Sequence, residues 1–336
     1  MDSDTLVRMI GEREMSGQLN AVDAIDLAIQ RTRYLLFDPV LYSKWLNFGV
    51  MIFLGVLAGG GGLTNFVSFF SFFREVNLEA FYFDAEAYVL AHLGAILVVA
   101  VPIFSLAVIA GSALMYVGSR GTMMVIRAVA YDDDGIGENW QSVGDASWTY
   151  FVFRLELAIA TGVYALIAGF VGLVLARQQA LGDVPEPEII VGIVVVTVVS
   201  IGVSIAYAFA MFSMRNFVAP LIFHLNVSCS EAWGAYIGII QRSPGQFLLY
   251  MLIKFIYSAV FGVARTFVGC CTCYVGFLPV IGQTLLAPLF VFERAYSLYM
   301  IGSLGPEYAI VNEPRPPVPP MLPPTIDAPP PPDINR

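Results

Sequence analysis

The sequence predicts an all-α, polytopic membrane protein of about six transmembrane helices joined by cytoplasmic elbow or amphipathic helices. Three observations predict it. Of 336 residues, 58% are hydrophobic and only 13% are charged, with mean hydropathy +0.75; soluble domains of this length are far more polar. Apolar runs of about 20 residues recur, each able to cross a ~30 Å hydrocarbon core at ~1.5 Å per residue. The Lys and Arg of the connections between runs fall mostly on one side.

The chain divides into three regions. Residues 1-40 form an N-terminal cytoplasmic segment with an amphipathic helix, 41-301 the transmembrane domain, and 302-336 a Pro-rich cytoplasmic tail expected to be disordered. Met1–Lys44 is polar and carries no signal-peptide pattern. The net charge of −9 comes with no basic patch, which argues against a nucleic-acid partner.

In order, Leu19–Phe37 alternates apolar residues with Arg31 and Arg33 and reads as a helix lying on the membrane surface. Leu41–Ala58 is the first span, ended by Gly59–Gly62, since glycines are poor helix formers. Leu63–Phe83 is Phe-rich but broken by Arg74, Glu75 and Glu79, as an interfacial or re-entrant segment would be, with a second full span as the alternative. Tyr88–Val117, with Pro102 at its middle, is the second span. Ser119–Asp145 reads as a polar connection. Its Asp132-Asp133-Asp134-Gly135 lacks the EF-hand spacing and is expected to be a solvated turn.

Tyr150–Ala176 is the third span, with Arg154 and Glu156 near its start, and Ile189–Met214 is the fourth. In the fourth, Ser200 with Ser204 and Gly202 with Ala206 would allow close helix approach. Arg215–Gly245 connects onward. Its Ser228-Cys229-Ser230-Glu231 is a capping box opening a helix with Trp233, Tyr236, Ile237 and Ile240 on one face.

The last two spans, Gln246–Val268 and Val275–Met300, form a hairpin about Cys270-Cys271-Thr272-Cys273-Tyr274. Lys254 and Glu293 both lie about 20 residues from this turn, which places them at equal depth on antiparallel helices. A lone charge at the bilayer centre costs about 3 kcal/mol. An intramembrane ion pair is therefore expected, with Arg294 nearby and Glu156 as a further candidate. It would serve either as a structural pair that fixes helix register or as a proton or ion relay. Pro279 and Pro288 are expected to kink the last span.

Two connections share a layout. Arg120, Glu138-x-Trp140 and Tyr150 follow one another much as Arg215, Glu231-x-Trp233 and Phe247 do. Arg294 would open a third copy, with the N-terminal amphipathic helix as its elbow. A cytoplasmic N-terminus puts Arg8, Arg13, Arg31, Arg33, Lys44, Arg120, Arg127, Arg215, Arg242, Arg315 and Arg336 inside, against Arg74 and Arg177 outside. Both termini are then cytoplasmic and the cysteine turn faces outward.

The Cys270-x-x-Cys273 spacing, with Cys271 between, fits close packing in a tight turn, a disulfide, or a metal site that His92 would join. Cys229 falls on the other face, and His224 lies in the cytoplasmic connection. No nucleophile triad, P-loop, Rossmann fingerprint or zinc-protease motif is present, so no enzyme activity and no cofactor are expected.

Several motifs together resemble an uncharacterised family of bacterial multi-span inner-membrane proteins. They are Leu36-Phe37-Asp38-Pro39 with Lys44-Trp45; Ser119-Arg120-Gly121; Asn216-Phe217-Val218-Ala219-Pro220-Leu221 with Glu231-Ala232-Trp233; and Cys270-Cys271-Thr272-Cys273 running through Leu278-Pro279, Ala287-Pro288-Leu289 and Arg294-Ala295-Tyr296-Ser297-Leu298-Tyr299. The resemblance covers most of residues 21–310. It implies the bacterial cytoplasmic membrane as location and no particular chemistry.

Two roles follow as expectations. One is a membrane scaffold or assembly component that holds lipid, a protein partner through the Pro-rich tail at Pro316-Pro317-Val318-Pro319-Pro320, or further copies of itself. The other is a transporter or lipid-handling protein with its site at Lys254, Glu293, Arg294 and Glu156.

Overall fold

A computed structural model describes residues 21–57, 78–181, 186–272 and 278–311. Gly59–Gly62, most of Leu63–Phe83, Cys273 and the Pro-rich tail lie outside the described residues. Everything described is helix or connection, with no strand among the described residues.

Helix α1 (Asp23–Phe37) opens with Asp23 and Asp26, which suit the positive end of its dipole. It does not lie free on a surface. Its buried face is Ala24, Ala28, Arg31, Thr32 and Leu35, while Val22 and Ile29 stay exposed. Small residues let the backbone close on its neighbours, and Arg31 has acceptors there, so this face wins over the apolar stripe. A 119° bend leads into α2 (Tyr42–Leu57). Trp45 pins the corner: its indole Nε1 donates to Leu36 O at 2.8 Å and its ring meets Phe37 edge-on.

Helix α3 (Leu78–Tyr131) kinks at His92, carries Pro102, and continues well beyond the expected end at Val117. The segment read as a polar connection is mostly helix, because Met123, Met124, Ile126 and Val129 are fully buried. Arg31 donates to the last carbonyls of α3, Val129 O and Ala130 O, each at 3.0 Å, and so caps its C-terminus. Gly121 of α3 meets the backbone of Leu54 and Gly55 of α2 so closely that no Cβ fits between them.

The acidic turn is a clasp rather than a solvated loop. Asp132 pairs with Lys44 at 3.4 Å, Asp133 with Arg127, and Asp134 accepts from Asn47 at 3.2 Å. Asp132 takes φ 56°, a conformation that Asp tolerates. Short α4 (Ile136–Ser142) then leads into α5 (Gly144–Leu181).

Helix α6 (Glu186–Ser213) pairs with α5 through Tyr164 Oη and Ser200 Oγ, 2.8 Å apart. Gly202 does not contribute to helix approach, since nothing lies within 4 Å of the position its Cβ would take. The chain runs on through a π-turn, Met214–Val218, into α7 (Ala219–Leu225). Pro220 brings no N–H to the ladder, and Asn216 Nδ2 donates back to Phe212 O at 2.8 Å. Helix α8 (Cys229–Arg242) carries the full capping box of Ser228 and Glu231. Its buried face is Cys229, Ala232, Tyr236 and Ile239, whereas Ile237 is exposed.

Helix α9 (Pro244–Cys271) is long and apolar enough for a full span, but its expected partner is broken. From residue 278, where the described residues resume, the expected span holds short α10 (Ile281–Leu285) and α11 (Ala287–Gly302). Pro288 stands in the first turn of α11, where its missing N–H costs nothing and its ring excludes a continuous helix. The expected last span is therefore two helices separated at Leu286. Four helical stretches are long and apolar enough to cross a membrane, Val98–Tyr131, Gly144–Leu175, Pro187–Leu225 and Pro244–Cys271, or five if α1 and α2 together make one bent span.

The core gathers at one end of these four. It holds Met123–Ala130, Tyr150, Phe217–Ile222, Tyr236, Tyr250 and Val291–Ile301. Beyond it the long helices expose nearly unbroken apolar surface, such as Phe104 and Ile109 on α3, Leu166 and Phe170 on α5, Val198 on α6, and Phe255 and Val263 on α9. Each exposed stretch is about 20 residues, the ~30 Å that a hydrocarbon core requires.

Candidate functional site

One cation stands on each long helix near the level where its exposed stretch meets the core: Arg120 on α3, Arg154 on α5, Arg215 just past α6, and Lys254 on α9. Three of them repeat a local pattern. Tyr116 and Arg120, Tyr150 and Arg154, and Tyr250 and Lys254 are each one helical turn apart. Arg154 Cζ lies 5.4 Å from the Tyr150 ring centroid and Lys254 Nζ 5.8 Å from that of Tyr250. Helices α3 and α7 both end beside a left-handed residue, Asp132 and Asn226. These likenesses do not follow the expected register, which paired Tyr150 with Phe247, whereas Tyr250 is the residue that stands beside a cation as Tyr150 does.

The densest polar cluster joins α9, α11 and the π-turn. Lys254 Nζ stands 3.2 Å from Glu293 Oε1 and 3.4 Å from Ser297 Oγ. Arg215 reaches the other carboxylate oxygen, Oε2, at 3.7 Å. Arg294 Nη1 donates to Arg215 O at 2.6 Å, tying α11 to the π-turn. Ser297 Oγ is 2.7 Å from Tyr250 Oη and 3.3 Å from Asn216 Oδ1. Above it the Tyr250 and Tyr296 rings stack with centroids 4.9 Å apart. Lys254 is nearly enclosed, while Arg215 is 44% exposed in its side chain.

Glu293 thus pairs with two cations, Lys254 and Arg215, while Arg294 is held by a backbone carbonyl. A buried pair of this kind specifies one packing of its helices, since separating it strands a charge in low dielectric. The break at Leu286 does not separate the two residues. Ser297, Tyr250 and Asn216 escaped the sequence reading, although the spacings Tyr250–Lys254 and Glu293–Ser297 would have placed the first two beside a charge.

The remaining candidates are not drawn into this cluster. Glu156 is exposed and forms no ion pair among the described residues. It lies near Cys229, whose thiol is pushed up to about 12, first by burial and then by the Glu156 charge. Cys270 and Cys271 are exposed free thiols at the far end of α9, and His92 sits exposed at the kink of α3. These three do not form a metal-binding group among the described residues. His224 Nε2 lies 3.2 Å from Glu307 O.

Outside the long helices, Glu231 is held below its ordinary carboxylate value by hydrogen bonds from Ser228. Burial raises the Tyr236 phenol to about 12.

A family of unknown function (DUF7544) matches residues 19–311. Neither a curated protein nor a solved structure matches the chain.

Proposed function

The chain belongs to this family of unknown function, and we propose that it is a non-enzymatic scaffold or assembly component of the bacterial cytoplasmic membrane. The observation that carries this reading is the buried Lys254–Glu293 pair, which ties α9 to α11. Arg215 shares the Glu293 carboxylate and Arg294 holds the Arg215 carbonyl, so each contact joins two elements, which suits a role in holding helices. A relay needs a group left ready to exchange its proton or ion.

The cations of the core end, with Arg31, Lys44 and Arg127, support a cytoplasmic position for that end by the positive-inside rule. Both termini are then cytoplasmic. The long exposed helix faces suit lipid or further copies of the chain. The tail from Pro314, with its polyproline character, suits a protein partner.

The test is native mass spectrometry of the protein gently extracted from its own membrane. A protein partner or a closed oligomer, lost or altered on deletion of residues 314–336, supports the scaffold. The competing reading is transport or lipid handling. Its site would be Arg215, the most exposed member of the cluster, with Lys254, Glu293 and Arg294, and Glu156 as the further candidate. It gains if a small ligand stays on the monomer and is lost in Glu293→Gln.

A further inference from the structure

We propose that Arg120, with the aromatic side chains around it, binds the headgroup of an anionic phospholipid at the core end of α3 and α5. The inference starts from an asymmetry between the two repeat copies. Arg215, the counterpart of Arg120, has Glu293 within 3.7 Å. Arg120 has no carboxylate within 4 Å and no hydrogen-bond acceptor among the described residues, and its Nε is buried without a partner.

Its guanidinium lies instead over two rings, 4.6 Å from the Trp140 centroid and 5.4 Å from that of Tyr116. Aromatic faces orient a guanidinium but do not neutralise it, and they leave its N–H groups to be satisfied. The counter-charge must come from outside the described chain.

The surroundings specify where it comes from. Tyr116 leads to Trp148 and Phe151, an aromatic cluster with centroids 5.5 to 6.0 Å apart, and Trp148 is 57% exposed. Amphipathic rings of this kind collect at the headgroup level. Immediately beyond them begin the exposed apolar faces of α3 and α5, with Leu114 and Ile159 half or more exposed. One molecule that meets both features has a phosphate for Arg120, contact with Trp148, and acyl chains along α3 and α5. Arg binds phosphate through paired N–H donors. A free phosphate would satisfy the cation and leave the apolar faces unused.

The test reads Trp140 and Trp148 by fluorescence, in a protein whose other two tryptophans are replaced (Trp45→Phe, Trp233→Phe). The protein is titrated in mixed micelles with dibrominated phosphatidylglycerol or dibrominated phosphatidylcholine. The expected result is half-maximal quenching at about five-fold lower phosphatidylglycerol, the gain of one cation facing an anionic headgroup. That preference should vanish in Arg120→Gln, persist in part in Arg120→Lys, and shrink at high salt.

Equal quenching by both lipids overturns the proposal, as does an unchanged preference in Arg120→Gln. Relief of quenching by millimolar inorganic phosphate or glycerol phosphate also overturns it, in favour of a soluble anion. Should Arg120→Gln fail to fold, competition by unbrominated phosphatidylglycerol against unbrominated phosphatidylcholine decides on unmutated Arg120.

Discussion

Lys254 on α9 and Glu293 on α11 meet at 3.2 Å although the second helix is broken between them and the turn. Glu293 also holds Arg215 at 3.7 Å, so the two partners are not equivalent. Glu293→Leu strands Lys254 beside Arg215 and Arg294 and should cost about 3–5 kcal/mol, the range for a broken buried pair. Lys254→Met leaves Glu293 its Arg215 partner and should cost less. The double variant should lie closer to wild type than Glu293→Leu does. Thermal unfolding in detergent measures all three, and strict additivity of the singles would show that the pair is not coupled.

Gly121 is a close contact between α2 and α3, with no room for a Cβ against the Gly55 backbone. Gly121→Ala must push the helices apart and should lower stability by about 1–3 kcal/mol, the usual cost of overpacking. Gly202→Ala on α6 meets nothing and should be neutral or slightly stabilising through helix propensity. A comparison of the two melting temperatures under one condition checks the contact directly.

Local signals in the sequence were legible. Ser228 and Glu231 carry their capping box three residues apart, and α8 starts there. The Lys254–Glu293 encounter was legible because both residues stand at similar distances from one turn. What failed were inferences that equated charge with loop. Arg120 and Arg127 made Ser119–Asp145 read as a connection, yet Trp140 receives one and Asp133 with Asn139 the other, so the helix continues. The buried face of α1 was illegible for a related reason, since Arg31 finds its acceptors in carbonyls about 100 residues away. The break at Pro288 was foreseen only as a kink.

Cysteine reactivity separates the two ends of the molecule. Cys270 and Cys271 are exposed and should react with maleimide within minutes at pH 8. Cys229 is buried with its thiol raised to about 12, so almost none of it is thiolate at that pH. Its labelling should rise about tenfold per pH unit between pH 8 and 10. Peptide mass spectrometry after timed alkylation resolves the three sites. Prompt labelling of Cys229 at pH 7 would contradict its burial. An impermeant maleimide applied to intact cells should label Cys270 and Cys271 if the cysteine turn faces outward, as proposed.

The cap of α8 predicts a pH dependence with a definite sign. Glu231 accepts from Ser228 N at 2.9 Å and its carboxyl is depressed by that bond and by the Ser228 hydroxyl. A depressed folded value means the cap's contribution is fully present above the unfolded carboxylate value of about 4.3 and is lost as pH falls through the folded value. Protonation removes the charge that the helix N-terminus and the Ser228 donors favour. Ser228→Ala deletes both hydroxyl contacts, so the variant should lose stability at pH 7 and lose less on acidification than wild type does. The measurement is the difference in melting temperature between wild type and Ser228→Ala from pH 7 to pH 3. It should narrow as pH falls, and a constant difference would show that the Ser228 hydroxyl acts independently of the Glu231 charge.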